Sequence, residues 1–189
     1  MRLPHLVPLL ALASLAPAAR AQQTSAAPRT SAVSIQPLSA VAGIYALEYE
    51  HATSRHLSIG VGGTFSRQSG SDWFGEGDSK VTYASGDLKL RYYPEGRALA
   101  GFSVGALAGY VSARETSKSY FAGATQTTRS NGSAPAFGIS LDYTWLLGGS
   151  RSFYLALGAG AKRLLLKQSD VPDALTTYPT ARISVGYAF

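Results

Sequence analysis

Apolar and polar residues alternate with period two through much of the chain. The clearest run is Leu57 to Ser66, where Leu57, Ile59, Val61 and Phe65 fall on one face and Ser58, Gly60, Gly62, Thr64 and Ser66 on the other. Phe137 to Trp145 repeats it, with Phe137, Ile139, Leu141, Tyr143 and Trp145 opposing Gly138, Ser140, Asp142 and Thr144. The last run sets Ala181, Ile183, Val185, Tyr187 and Phe189 against Arg182, Ser184, Gly186 and Ala188. Successive side chains on a strand point to opposite faces, so these are strands with one apolar face each. Four less regular strands are predicted at Val41 to Glu50, Val81 to Tyr93, Leu99 to Ser112 and Phe153 to Leu166. Tyr83 shares parity with Asp87, so either a bulge near Gly86 switches the face or the strand's first part stands above the apolar band.

The links carry the topology. Tight connections near Thr53 to Arg55, Pro94 to Arg97 and Gly148 to Ser150 alternate with long polar stretches at Arg67 to Ser79, Arg114 to Asn131 and Gln168 to Thr177. Short turns at one end and long loops at the other are the habit of transmembrane barrels, the short turns facing the periplasm. That orientation makes Val41 to Glu50 run inward and leaves an odd strand count. Ala32 to Leu38, with Val33 and Ile35 against Ser34 and Gln36, supplies the missing outward strand. The expected fold is all-β, an eight-stranded antiparallel up-and-down transmembrane β-barrel over residues 32–189.

A soluble barrel also has one apolar face, pointing inward, so alternation alone leaves the solvent open. The second face decides it. That face is rich in Gly60, Gly62, Gly105, Gly109, Gly138, Gly158, Gly160 and Gly186, which suits a cramped lumen better than a surface in water. The bulky face gathers Tyr49, Tyr92, Tyr143, Trp145, Phe153, Tyr187 and Phe189 near the short-turn end, an expected interfacial girdle, with Phe65, Tyr110 and Phe137 toward the other.

Residues 1–21 read as a secretory signal peptide. Arg2 gives the positive start, Leu6 to Leu15 the short apolar region, and Ala19-Arg20-Ala21 an A-x-A cleavage site before Gln22. Pro4, Pro8 and Pro17 interrupt a stretch too short to span about 30 Å of hydrocarbon. Residues 22–31, rich in Gln, Ser, Thr, Ala and Pro, are expected to be a flexible lead-in on the periplasmic side. Cysteine is absent, which excludes a disulfide framework, a thiolate metal site and a lipoprotein anchor. Loss of Arg2 and Arg20 with the leader lowers the formal charge of +6 by two, and the remaining cations form no run that would bind nucleic acid.

The ending Ile183-Ser184-Val185-Gly186-Tyr187-Ala188-Phe189 resembles the C-terminal signature that the barrel-assembly machinery receives. In size and layout the mature region is similar to the OmpA- and OmpX-type eight-stranded barrels. Tyr45-Ala46-Leu47-Glu48-Tyr49-Glu50 and Leu90-Arg91-Tyr92-Tyr93-Pro94 resemble a family of small outer-membrane barrels of unassigned function. The resemblance implies an outer-membrane location in a Gram-negative-type bacterium, with outer-membrane lipids and the assembly machinery as partners. It transfers no functional residue.

On the lumen face Glu48, Glu50, Asp87 and Asp142 meet Lys89, Arg91, Lys162 and Arg182. Buried charges persist when paired, and an eight-stranded lumen is just wide enough for side chains to fill it. A salt-bridged plug is therefore expected, with a gated ion path as the alternative. Gly101, Gly105 and Gly109 stand four apart, a helix-dimer spacing that on a strand puts all three on one face. His51 and His56 flank a short turn without a third ligand, and Ser66 and Ser112 lack a base to activate them. Gly158-Ala159-Gly160-Ala161-Lys162 lacks the phosphate-loop spacing, and Asn131-Gly132-Ser133 reads as a turn. No catalytic, cofactor-binding or metal-binding set is predicted. The expected role is non-enzymatic, in envelope structure or in binding an extracellular partner through the long loops. A narrow pore for small solutes or ions is the second reading, and a lipid-modifying enzyme the third.

Overall fold

The computed structural model describes residues 29–71, 77–121, 124–165 and 177–189. Eight strands follow one another: β1 (Ser31–Ile35), β2 (Ile44–Ala52), β3 (Leu57–Ser71), β4 (Gly77–Tyr92), β5 (Gly101–Phe121), β6 (Ala124–Leu147), β7 (Phe153–Leu164) and β8 (Thr177–Ala188). Each pairs antiparallel with its sequence neighbours, and β1 pairs with β8, so the sheet closes into an up-and-down barrel. The sequence-predicted fold is the observed one.

Inside and outside follow the alternation. Ile139 on the outer face is 65% exposed, and Leu47, Val61, Leu88 and Leu141 on the same face of the barrel are also exposed, whereas Ser58, Asp142, Thr144 and Ser184 point inward and are buried. An apolar exterior around a polar interior is the reverse of a water-soluble barrel and suits hydrocarbon. Several inward glycines leave no room for a Cβ. A Cβ on Gly158 would stand 1.9 Å from Asp142 Oδ1, and one on Gly109 would stand 2.1 Å from Asp87 Oδ1. Backbone presses on others: a Cβ on Gly186 would lie 2.0 Å from the Val33 carbonyl oxygen.

The strand lengths depart from expectation at the long-strand end. Arg114 to Asn131, expected as a loop, is mostly the upper part of the β5–β6 ladder, which stays in register from Gly101↔Thr144 to Phe121↔Ala124. Asn131-Gly132-Ser133, expected as a turn, lies inside β6 opposite Arg114, Ala113 and Ser112. Much of Arg67 to Ser79 likewise belongs to the β3–β4 ladder, which ends at Ser71↔Asp78. A hydrogen-bonded ribbon above a bilayer can be polar on both faces, so these stretches lose the alternation that would mark them as strand. The expected loop Gln168 to Thr177 lies outside the described residues except at Thr177 itself. No bulge occurs at Gly86, which pairs with Gly63 and Tyr110 in an unbroken register.

The first strand also differs. Ala32 to Leu38 was expected as strand, but β1 begins at Ser31, within the expected lead-in, and stops at Ile35; the chain then forms a short helix, α1 (Pro37–Val41). Pro37 has no N–H to give to a ladder and sits in the first turn of α1, where none is needed. The next strand, expected from Val41, starts at Ile44 after Gly43 turns the chain at φ 73°.

Candidate functional site

The eight charged residues expected in the lumen all point into it and meet as ion pairs. Glu48 and Glu50 of β2 do not neighbour Lys89 and Arg91 of β4, because β3 lies between. At that level β3 presents Gly60, paired with Glu50 and Lys89, and Gly62, paired with Glu48 and Asp87. With no side chain on the middle strand, the carboxylates of β2 reach across to the cations of β4.

Arg91 is the hub. Its Nη1 donates to Glu50, its Nη2 donates to Glu48 at 2.5 Å, and its Nε lies 3.4 Å from Asp142 Oδ2, too poorly aligned for a hydrogen bond. Lys89 Nζ donates to Glu48. From the far wall, Arg182 of β8 places Nη2 2.7 Å from Asp142 Oδ1 and Nη1 3.2 Å from Glu48 Oε2. Ser140 Oγ donates to Asp142 Oδ2 at 2.9 Å. Separately, Lys162 Nζ of β7 donates to Asp87 Oδ1 of β4 at 2.6 Å, bridging the barrel. Each carboxylate thus has a cation, and side chains from β2, β4, β6, β7 and β8 are tied together across the interior.

Several residues that complete the site carry no charge and were not anticipated. Ser58 and Tyr93 donate their hydroxyls to Glu50 Oε1 at 2.5 and 2.6 Å, and the Tyr154 hydroxyl lies 3.4 Å from Glu50 Oε2. Glu50 is therefore held by an arginine and hydroxyls while only 2% exposed. Ala32, Leu99, Tyr154, Ala156 and Ala188 pack together beneath it as an apolar floor at the short-turn end. The link between β4 and β5 supplies Leu99, fully buried at φ 67°, a conformation a leucine adopts only where its surroundings hold it. An apolar pair, Leu99-Ala100, directly after a turn was the one available sequence signal for this floor.

Above the charges the lumen opens into a cavity of about 450 Å³ toward the long-strand end, lined in part by Tyr83, Leu107, Lys89, Lys162 and Arg182. Of the aromatics expected at the short-turn end, Tyr49, Tyr92, Phe153, Tyr187 and Phe189 lie exposed on the outer face. Tyr187 stacks on Phe189, while Tyr143 and Trp145 are half-buried against each other with ring centroids 4.6 Å apart.

His51 and His56 sit on the exterior. His56 stacks on Tyr92, and His51 Nδ1 lies 2.9 Å from Ser31 Oγ. This Ser–His contact was not anticipated, since Ser31 was placed in the lead-in. It makes a poor nucleophile–base pair: Ser31 Oγ also meets the Tyr49 hydroxyl at 3.2 Å, and among the described residues no carboxylate orients His51.

Neither protein-family models nor curated proteins gave a match to this chain. Among solved structures, Ail, the attachment invasion locus protein of Yersinia pestis, superposes with a TM-score of 0.53 at 13% identity, covering 86% of this chain and 100% of Ail. The same protein in complex with the heparin analogue sucrose octasulfate gives 0.51 at 13% identity over the same shares. The N-terminal β-barrel domain of Pseudomonas aeruginosa OprF gives 0.47 at 11% identity, over 86% of this chain and 98% of that domain. In architecture, therefore, this chain is a small eight-stranded β-barrel of the kind built by outer-membrane proteins.

Proposed function

We propose that the chain is exported with a cleaved leader and serves in the outer membrane of a Gram-negative-type bacterium as a non-enzymatic integral barrel with a charge-plugged lumen. Its role is in envelope structure or surface interaction. The carrying observation is the paired interior: Arg91 and Glu50, each 2% exposed, sit directly above an apolar floor, so the axial path is filled with ion pairs and side chains. Small lumens of this strand number leave no aqueous channel once their side chains interlock.

The surface-interaction half rests on the tall ribbons. Arg67, Lys80, Arg114, Lys118 and Arg129 all fall on the outward parity of β3 to β6, beyond the apolar band, and all are exposed. Such a face suits an anionic surface partner. Ail's complex with a sulfated sugar analogue is a property of that protein and gives this reading only a direction to test.

Planar-bilayer recording of the purified, refolded barrel tests the plug. No stable conductance is expected. Reproducible channel steps from the wild-type chain would overturn the plugged reading and leave the narrow pore in its place. N-terminal sequencing of membrane-extracted protein checks the leader, with Gln22 expected first.

A further inference from the structure

Above the apolar band, the register turns the outer face of β3 to β6 into a grid. One row across the strands runs Arg67, Thr82, Arg114, Asn131, and the row above it runs Ser69, Lys80, Thr116, Arg129. The next row holds Asp78 and Lys118. Neighbours within a row stand about 4.8 Å apart and same-face residues along one strand about 6.7 Å, so each side chain meets those on four sides. Thr116 therefore has a cation on every side: Lys80 and Arg129 across the row, Arg114 and Lys118 along its own strand. Thr82 has three, Arg67 and Arg114 across the row and Lys80 along its strand. Both threonines are half-buried while the cations around them are exposed. Two bays result, about 8 Å apart on this grid, each with a hydroxyl at its base and positive charge at its rim. The first is a pocket of about 280 Å³ with Phe65 at its lower lip.

These charges differ from those of the lumen, which are neutralised in pairs. Among the described residues, Arg67, Lys80, Arg114, Lys118 and Arg129 make no ion pair, and Asp78 is the one carboxylate on their face. The inward face of the same stretch has no Lys or Arg among the described residues and presents Gln68, Tyr83 and Glu115 instead. The cations thus look sideways from the barrel. Their height follows from β4, where Thr82 and Tyr92 share the outward parity. A rise of about 3.3 Å per residue at a tilt of about 40° lifts Thr82 about 25 Å above Tyr92 along the membrane normal, which is the height of the apolar band in such barrels. Phe65 stands one row below Arg67, and Tyr110 two rows below Arg114, where the second aromatic girdle is expected. The bays therefore open laterally into the head-group layer. With the short turns in the periplasm, that layer belongs to the outer leaflet.

We propose that the two bays hold the phosphates of one outer-leaflet glycolipid whose sugar head carries at least two. Arg67 takes a phosphate over Thr82, Lys118 and Arg129 take one over Thr116, and Lys80 and Arg114 border both. Guanidinium and ammonium groups donate charge-assisted hydrogen bonds to phosphate oxygens, and the threonine hydroxyls donate from below. A lipid with a single phosphate fills one bay and leaves the other unanswered. A soluble polyanion arriving from the medium would have no cause to find its cations confined to the lipid side of a ribbon that is polar on both faces. The proposal rests on the membrane placement given above and names the anionic partner of that surface reading.

Native mass spectrometry of the barrel refolded in dodecyl maltoside, its fold checked by heat-modifiable mobility, counts bound lipids during titration. Bisphosphoryl lipid A is expected to bind about tenfold or more tightly than monophosphoryl lipid A or phosphatidylglycerol. Lys80→Gln with Arg114→Gln, which strips both bays at exposed positions, is expected to lose about tenfold or more of that affinity. Arg55→Gln with Arg163→Gln removes the same charge from exposed positions outside the bays and is expected to bind as wild type does. Equal binding of the two forms of lipid A, or equal losses in the two double variants, would overturn the paired site. Heparin oligosaccharide bound as tightly as bisphosphoryl lipid A would overturn the lipid as partner while leaving the surface-interaction reading in place. Absence of the chain from the outer-membrane fraction of cells would overturn the placement and this proposal with it.

Discussion

Replacing Arg91 by Met is expected to be among the most damaging single changes in the interior. Arg91 is 2% exposed and pairs with Glu48, Glu50 and Asp142. Met fills similar volume, so the perturbation is electrical. Glu48 keeps Lys89 and Arg182, and Asp142 keeps Arg182, but Glu50 is left with hydroxyl donors alone. Removing one partner of a buried pair costs about 3 to 5 kcal/mol, because the remaining charge is stranded in a poor solvent for it. Replacing both partners with apolar groups is often neutral, so Arg91→Met with Glu50→Leu is expected to recover most of the loss. Urea titration of barrels folded into lipid vesicles, followed by tryptophan fluorescence and gel mobility, reads both variants. A loss under about 1 kcal/mol in the single variant would show that the pairs are solvated and do not fill the lumen. A double variant no better than the single would show that shape, not charge, is what Arg91 supplies.

Gly186→Ala is expected to destabilise by about 1 to 3 kcal/mol or to block closure, since the new methyl would press on the Val33 backbone, while Gly70→Ala, with open space around it, is expected to be silent in the same titration. Ile139→Arg puts a cation on the lipid face and is expected to cost about 2 to 4 kcal/mol. Thr127→Arg, on the same parity near the top of β6, is expected to fold as well as wild type; equal losses would place the apolar band wrongly. Phe189→Ala keeps the main-chain bonds that Phe189 makes to Thr30 and Ser31, so refolding into micelles is expected to be intact while membrane yield in cells falls. Unchanged cellular yield would remove the argument that this ending is read as an assembly signal.

The strands of the membrane-crossing part were legible because their two faces differ in chemistry: Ile139 and Ser140 cannot be exchanged, so their parity shows in the sequence. The lumen charges were legible for a related reason, since Glu48, Lys89 and Asp142 fall on the glycine-rich face and need partners there. Strand height was not legible. Arg114 to Asn131 is polar on both faces whether it is a loop or a solvated ribbon, and only the register distinguishes them. α1 is five residues long, little more than one turn and too short for a helical period to repeat, and it was absorbed into the strands on either side. Tyr93 and Tyr154 stayed hidden because a tyrosine near a strand end reads as an interfacial anchor, whereas here both turn inward to Glu50.

The seam between β1 and β8 holds register over only Ala32↔Ala188 to Ile35↔Val185, while the β5–β6 ribbon stays paired from Gly101↔Thr144 to Phe121↔Ala124. The ribbon is local in sequence and forms at little entropic cost, but the seam must bring together the first and last strands. Assembly is therefore ordered by this inequality: a curved sheet grows from its hairpins, and circularisation comes last. The bonds among Thr30, Ser31 and Phe189 then act as a clasp at the base of a short seam. Under a pulling force on its two ends such a barrel would unbutton at that clasp first, strand by strand, long before the tall central hairpin gave way.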